Sequence, residues 1–226
     1  MTQQPTDQNL VFSYLELRKA VGIIGVALPV VLAIGKVVLQ GPGLEPTISS
    51  YYYTDLGNWF VGSLCAIGVF LLSTKGYPDA GPKAARGPGH DQIAGYLACA
   101  FAIGVALFPM APAMCPTSQQ KHIGWVHWTL AALLFLTLAY FSLRLFTKTD
   151  STKTPTPQKL KRNRVYRVCG YTILASILLI PVVTHTPIAT YVQALKPVFW
   201  LESLAVVAFG VSWLTKGETI LKDESA

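Results

Sequence analysis

Six long apolar stretches, separated by short polar, basic or Pro- and Gly-containing segments, constrain this chain more than any other feature. A helix needs about 20 mainly apolar residues to cross the hydrocarbon core of a membrane. Only 13% of the residues are charged, whereas soluble domains carry about 25%. We therefore predict an all-α, polytopic membrane protein with one domain, a bundle of six transmembrane helices. The predicted spans cover approximately residues 20–39, 51–72, 91–108, 122–146, 165–183 and 198–214.

The second stretch has the most polar entrance. Its continuously apolar part, from Trp59 to Leu72, is too short to cross a membrane. A spanning helix would therefore begin near Tyr51, which predicts that Asp55 and Asn58 lie in its first two turns, at the membrane edge. Aromatic residues around this entrance are typical of the interfacial belt of membrane proteins.

The distribution of basic residues predicts the orientation. Fifteen of the 18 Lys and Arg residues lie in the termini and in the second and fourth loops, and only Lys36, Lys121 and Lys196 lie on the other side. Cytoplasmic loops carry the excess of Lys and Arg, so both termini are expected in the cytoplasm, with the protein in the cytoplasmic (inner) membrane. The fourth loop, residues 147–164, is basic and rich in Thr and Pro, and we expect it to be flexible.

The net charge of +7 does not indicate a nucleic-acid partner, because the basic residues bracket the apolar spans. Membrane lipids are the expected partners, and the oligomeric state, a homo-oligomer included, stays open. Three of the four Cys lie within apolar spans, so we expect no disulfide framework.

Ionisable residues gather at the predicted non-cytoplasmic ends of the spans. Ionisable groups inside spans are costly and usually face the bundle interior or a wet cavity. We therefore predict an outward-facing polar pocket that binds a lipid or small amphiphile. Its candidate residues are Asp55, His122 and Glu202 as the polar core, with Asn58, Tyr52 and His127 beside them.

Alternative interpretations use the same residues. Asp55, His122 and Glu202 have side chains that ligate zinc or a related divalent metal, which could activate water in a membrane lipid hydrolase. The same groups could relay protons in a proton-coupled carrier, or form a structural hydrogen-bonded network. His127 follows His122 by five residues, about 140° around a helix, so one metal ion is not expected to bind both. His185, beside a proline turn, is typical of a loop residue.

Several phrases of the sequence resemble an uncharacterised bacterial family of multi-pass membrane proteins. They are Ser50–Asp55 with Phe60-Val61-Gly62, Gly68–Leu71, Lys75-Gly76-Tyr77, and Phe199–Glu202 with Phe209-Gly210 and Ser212-Trp213. The resemblance implies a multi-pass helical fold and no defined activity.

A Ser, Asp and His set in a helical bundle is more distantly similar to membrane hydrolases that include alkaline ceramidases and progestin-receptor-like proteins. That similarity implies a zinc-bound lipid amidase site, for which Ser50, Asp55 and His122 are the candidates. This sequence differs from those hydrolases in having six predicted spans rather than seven, and it lacks their paired histidines on a late helix.

Overall fold

The computed structural model describes residues 7–72, 89–149 and 154–222, and over these ranges the chain is helical without β-strands. Its helices confirm the predicted all-α class. They are α1 (Asp7–Gln40), α2 (Gly57–Leu72), α3 (His90–Leu107), α4 (Ser118–Tyr140), α5 (Pro157–His185), α6 (Ala189–Val192) and α7 (Pro197–Lys216). A π-helical turn (Phe141–Leu145) continues α4, and two 3-10 turns (Ser49–Tyr53 and Gln193–Leu195) lie in the connections.

Polar residues decide where the helices begin. Thr117 and Gln120 form a capping box before α4, since each side chain accepts the other's backbone N–H. Thr156 caps α5, and Pro157 occupies the first turn of that helix. Residues 157–164 are therefore helical, although the sequence predicts a flexible loop there; residues 150–153 of that loop lie outside the described part.

The second predicted span differs most from the structure. α2 begins at Gly57, not near Tyr51, because Thr54 is extended (φ −109°, ψ 174°) and interrupts the helix after the 3-10 turn. Asp55 consequently precedes the helix, and only Asn58 lies in its first turn. The predicted second loop falls almost wholly on residues 73–88, outside the described ranges.

The six long helices form a closed ring. Each contacts the next along the chain, and α7 contacts both α5 and α1. The connections at residues 41–56, 108–117 and 186–196 lie at the same end of the ring, here called the upper end. Direct contacts join them: Tyr53 bonds to Met110, and Phe199 bonds to Pro46.

Four of the described helices are long and apolar enough to cross a membrane. They are α1, α4 with its π-helical turn, α5 and α7. α2 has 16 residues and α3 has 18, which correspond to about 24 and 27 Å of helix. Large apolar side chains also cover the outside of the ring; Val38 and Leu178, for example, are 73% and 70% exposed. This arrangement is consistent with a membrane protein.

Glycines let α1 and α7 approach closely where the ring closes. A Cβ atom added at Gly210 would lie 2.7 Å from the carbonyl oxygen of Gly22 and 2.8 Å from the amide nitrogen of Val26. Gly25 also faces the backbone of Gly210. Such backbone contact is the usual role of small residues between membrane helices.

We expect Gly210→Ala to lower the free energy of unfolding by about 1–3 kcal/mol, because the added methyl group meets backbone that cannot move aside. The measurement is the thermal unfolding midpoint of the purified protein in detergent. Gly62→Ala is the control, since nothing lies within 4 Å of the added Cβ there. Equal midpoints for both variants and the wild type would contradict this account of ring closure.

Candidate functional site

The connection between α1 and α2 enters the bundle instead of running over its surface. Thr47, Ile48, Ser49 and Tyr51 are all at most 8% exposed. Buried connections are uncommon because their backbone N–H and C=O groups must find partners without water. We call residues 46–53 the buried turn; its two ends, Pro46 and Tyr53, are exposed.

Helix α7 supplies two of those partners. The carboxylate oxygen Oε2 of Glu202 accepts the Ile48 N–H at 2.6 Å, and the Phe199 N–H donates to the Pro46 carbonyl at 3.1 Å. Glu202 is itself 8% exposed. A carboxylate that accepts a backbone N–H makes a stronger hydrogen bond than a neutral acceptor does. Glu202 therefore holds the start of the buried turn against α7.

The buried turn also closes on itself. The Ser50 N–H donates to the Thr47 hydroxyl at 2.9 Å, and the Thr47 N–H donates to the Ser50 hydroxyl at 3.1 Å. The Tyr53 hydroxyl then donates to the Met110 carbonyl at 2.7 Å. These bonds pair the backbone and hydroxyl groups of Thr47 and Ser50 and attach the turn to the α3–α4 connection.

An open groove of about 530 Å³ lies between α4 and α5. Its lining is mainly apolar, and its polar groups are few. Lys121, Thr184 and His185 lie at its upper rim, near the start of α4 and the end of α5, while Glu202 of α7 forms part of its wall. The other lining residues are Ala111, Gly124, Trp125, Trp128, Ala131, Ala132, Phe135, Ile177, Ile180 and Pro181.

Glu202 stands between this groove and the centre of the ring. A second cavity of about 50 Å³ lies inside the ring, and Glu202, Ala131 and Phe135 line both cavities. Glu202 therefore borders both the groove and the interior cavity. It contacts the buried turn on one side and the groove on the other.

Pro181 removes one intrahelical hydrogen bond of α5 beside the groove. This proline lies inside α5 and has no N–H, so the carbonyl of Ile177, four residues earlier, lacks its usual intrahelical donor. Residues four apart share a helix face, and both Ile177 and Pro181 line the groove.

Asp55 and Asn58 lie away from the groove lining. Asp55 is exposed and accepts a hydrogen bond from the Gln40 side chain at 2.8 Å, at the end of α1. Asn58 is exposed and lines a shallow depression with Trp59 and Ile24. Of the three residues predicted as the polar core, only Glu202 lines the groove.

The other predicted residues have separate surroundings. His122 is exposed, on the first turns of α4. His127 is 3% exposed, and its Nδ1 lies 2.7 Å from the Phe108 carbonyl oxygen, to which it must donate. This bond ties α4 to the end of α3. The Tyr52 ring packs edge-on against Tyr53, with centroids 5.2 Å apart, and Ser50 bonds to Thr47.

The structure does not gather the predicted metal ligands. Among the described residues, no three His, Cys, Asp or Glu side chains form a group that could hold a metal ion. Asp55, His122 and Glu202 are all described, so they do not form a metal site in this conformation. Asp55 and His122 are exposed, whereas Glu202 is buried. A similar level along the bundle therefore does not bring the three side chains together.

Sequence reasoning missed the facing surfaces of α4 and α5. Along α4 the lining residues recur three or four positions apart, at Gly124, Trp128, Ala131 and Phe135, which places them on one face. Gly124 packs against the backbone of Ala111, and Ala131 is the other small residue of that stripe. This spacing is visible in the sequence, but it does not say which helix lies opposite.

We expect Glu202→Ala to release the buried turn. The Ile48 N–H would lose its partner, at a cost of about 1–3 kcal/mol, so amide hydrogen exchange across residues 47–53 should accelerate about tenfold or more. Glu202→Gln keeps a side-chain acceptor and should retain protection.

Glu45→Ala is the matched control, because Glu45 pairs with Lys36 at 3.3 Å in a partly exposed position, where ion pairs contribute little. Exchange in Glu202→Ala as slow as in the wild type would refute the role of this carboxylate.

Comparison of the chain with protein-family models, with curated proteins and with solved structures found no match. The resemblance to a bacterial family of multi-pass membrane proteins therefore stays a prediction, as does the more distant similarity to membrane hydrolases. The case for a function rests on the groove, on Glu202 and on the buried turn.

Proposed function

We propose that this protein crosses the cytoplasmic membrane six times, with both termini in the cytoplasm, and binds a lipid or small amphiphile in the groove between α4 and α5. The groove carries the proposal: it is about 530 Å³ in volume, open and mainly apolar, with its charged groups few and confined to the rim and one wall. Ligand sites commonly combine an apolar lining with a small number of placed polar groups.

The buried turn accounts for the short second span. α2 is too short to cross alone, but the 3-10 turn Ser49–Tyr53 contacts its upper end. Non-helical backbone at membrane depth is tolerated where protein buries it and satisfies its hydrogen bonds. The bonds to Glu202, Phe199 and Met110 meet that requirement. α2 and the buried turn would then cross together as an interrupted helix.

The polarity of the groove matches an amphiphile. Lys121, Thr184 and His185 are at the rim, whereas Phe135 and Ile177 are further down. Fourteen residues of helix separate Lys121 from Phe135, about 21 Å along α4. An extended twelve-carbon chain is shorter than this length and fits within it. An apolar tail would bury against the lower groove, with its polar group towards the upper part.

Cysteine labelling tests the orientation. Cys115 is exposed in the α3–α4 connection, while Cys99 and Cys169 are buried. A membrane-impermeant maleimide added to spheroplasts should label the wild type at Cys115 and should not label Cys115→Ser. In a Cys115→Ser background, Lys222→Cys should react only after lysis. Labelling of Lys222→Cys before lysis would overturn the proposed orientation.

Filling the groove tests the binding site. A dodecanol probe that carries a diazirine should crosslink preferentially to groove-lining segments of α4 and α5. Ala132→Trp should reduce this crosslinking about fivefold or more, because the indole occupies the space of the chain. Ala100→Trp is the matched control, since Ala100 is exposed on α3 and absent from the groove lining. Equal crosslinking of the two variants would contradict the proposal.

A further inference from the structure

We infer that the amphiphile bound in this groove is cationic, a small amphiphile whose ammonium group pairs with Glu202. The inference rests on the proposed function and adds the chemical class of the ligand. Its basis is a buried carboxylate in a mainly apolar groove whose other ionisable side chains, Lys121 and His185, lie at the rim.

Glu202 is an ionisable group without a charged partner in the described part of the chain. It is 92% buried, being 8% exposed, and none of the ion pairs among the described residues includes it. The backbone N–H groups of Ile48 and Ser49 donate to this carboxylate, which offers about four acceptor positions. A buried charge is costly unless it is paired. A cation that enters the groove would supply the missing pair.

The rest of the groove suits an ammonium group. Trp125 and Trp128 both line it and are 72% and 39% exposed, so their ring faces are accessible for cation–π contacts. Pro181 also deprives the Ile177 carbonyl of its usual intrahelical donor, and both residues line the groove. An anion would meet no donor at this depth among the lining side chains other than the indole N–H groups.

The position of Glu202 favours a free amphiphile over a membrane lipid. Glu202 lies five residues, or about 8 Å, along α7 from the upper end of that helix at Pro197, and it is 8% exposed. The headgroup ammonium of a bilayer lipid stays at the interface, level with the rim. A single-chain amine can move deeper, past Lys121 at the rim.

The test compares three twelve-carbon probes in an uncharged detergent: dodecylamine, dodecanol and dodecanoate. Affinity is measured by competition with the dodecanol diazirine probe. Dodecylamine should bind at least about tenfold more tightly than the other two, and Glu202→Gln should remove that preference, because truncating a buried charge pair costs well over a factor of ten. Glu45→Gln, which neutralises a carboxylate outside the groove lining, should retain it.

The Gln side chain in Glu202→Gln can still accept the Ile48 N–H, so the thermal midpoint of this variant should stay near that of the wild type. A loss of the preference for dodecylamine would then result from the lost charge and not from unfolding.

A preference for dodecanoate that Lys121→Gln removes would overturn the inference and leave the proposed groove intact. If none of the three probes competes and Ala132→Trp crosslinks as well as the wild type, both the inference and the proposed binding site are overturned. Stronger competition with dodecylamine by phosphatidylethanolamine nanodiscs than by phosphatidylglycerol nanodiscs would identify a lipid headgroup as the source and refute a free amphiphile.

Discussion

The hydrogen bond from the Ile48 amide to the Glu202 carboxylate joins the buried turn to the wall of the groove between α4 and α5. It has a length of 2.6 Å, and it fixes a connection that would otherwise expose unsatisfied backbone inside a helical ring. The same carboxylate forms part of the groove between α4 and α5. The Glu202 side chain thus holds the buried turn inside the ring and also lines the groove. A ligand that bound the Glu202 carboxylate would therefore contact the same side chain that holds the buried turn.

That anchor depends on α7, whose position is set by packing at its lower half. Gly22, Gly25 and Gly210 bring α1 and α7 into backbone contact, and Trp213 packs among Phe141, Phe146 and Phe209 with ring centroids 5.2–6.0 Å apart. The Ser142 and Ser212 hydroxyls lie 2.9 Å apart, where the π-helical turn meets α7. These contacts leave α7 little freedom to shift, so Glu202 is presented at a defined level. The same contacts help to fix the shape of the groove, because α5 also packs against α7.

Part of the candidate site was predictable from the residues. Glu202 stands out because a carboxylate five residues into an apolar helix is costly, and the structure places it in the groove. Asp55 and His122 have the same chemistry but are exposed, because sharing a level along the bundle does not make two side chains point the same way. His127 is buried against the Phe108 carbonyl, a bond between two helix ends that no local pattern indicates. His185 is typical of a loop residue by sequence, yet it lies at the groove rim.

The sequence by itself determined the helical class and the approximate position of six long helices, because apolar length and capping residues act locally. The charge asymmetry on which the proposed orientation depends is likewise a property of the sequence alone, because it is the distribution of Lys and Arg along the chain. Only the tertiary structure decided that residues 46–53 enter the bundle, that α2 begins at Gly57, and that α4 faces α5 across a groove. Those features depend on contacts between residues far apart in the chain, such as Ile48 with Glu202. Such pairings arise from how the helices close into a ring, which hydrophobic length and periodicity do not specify.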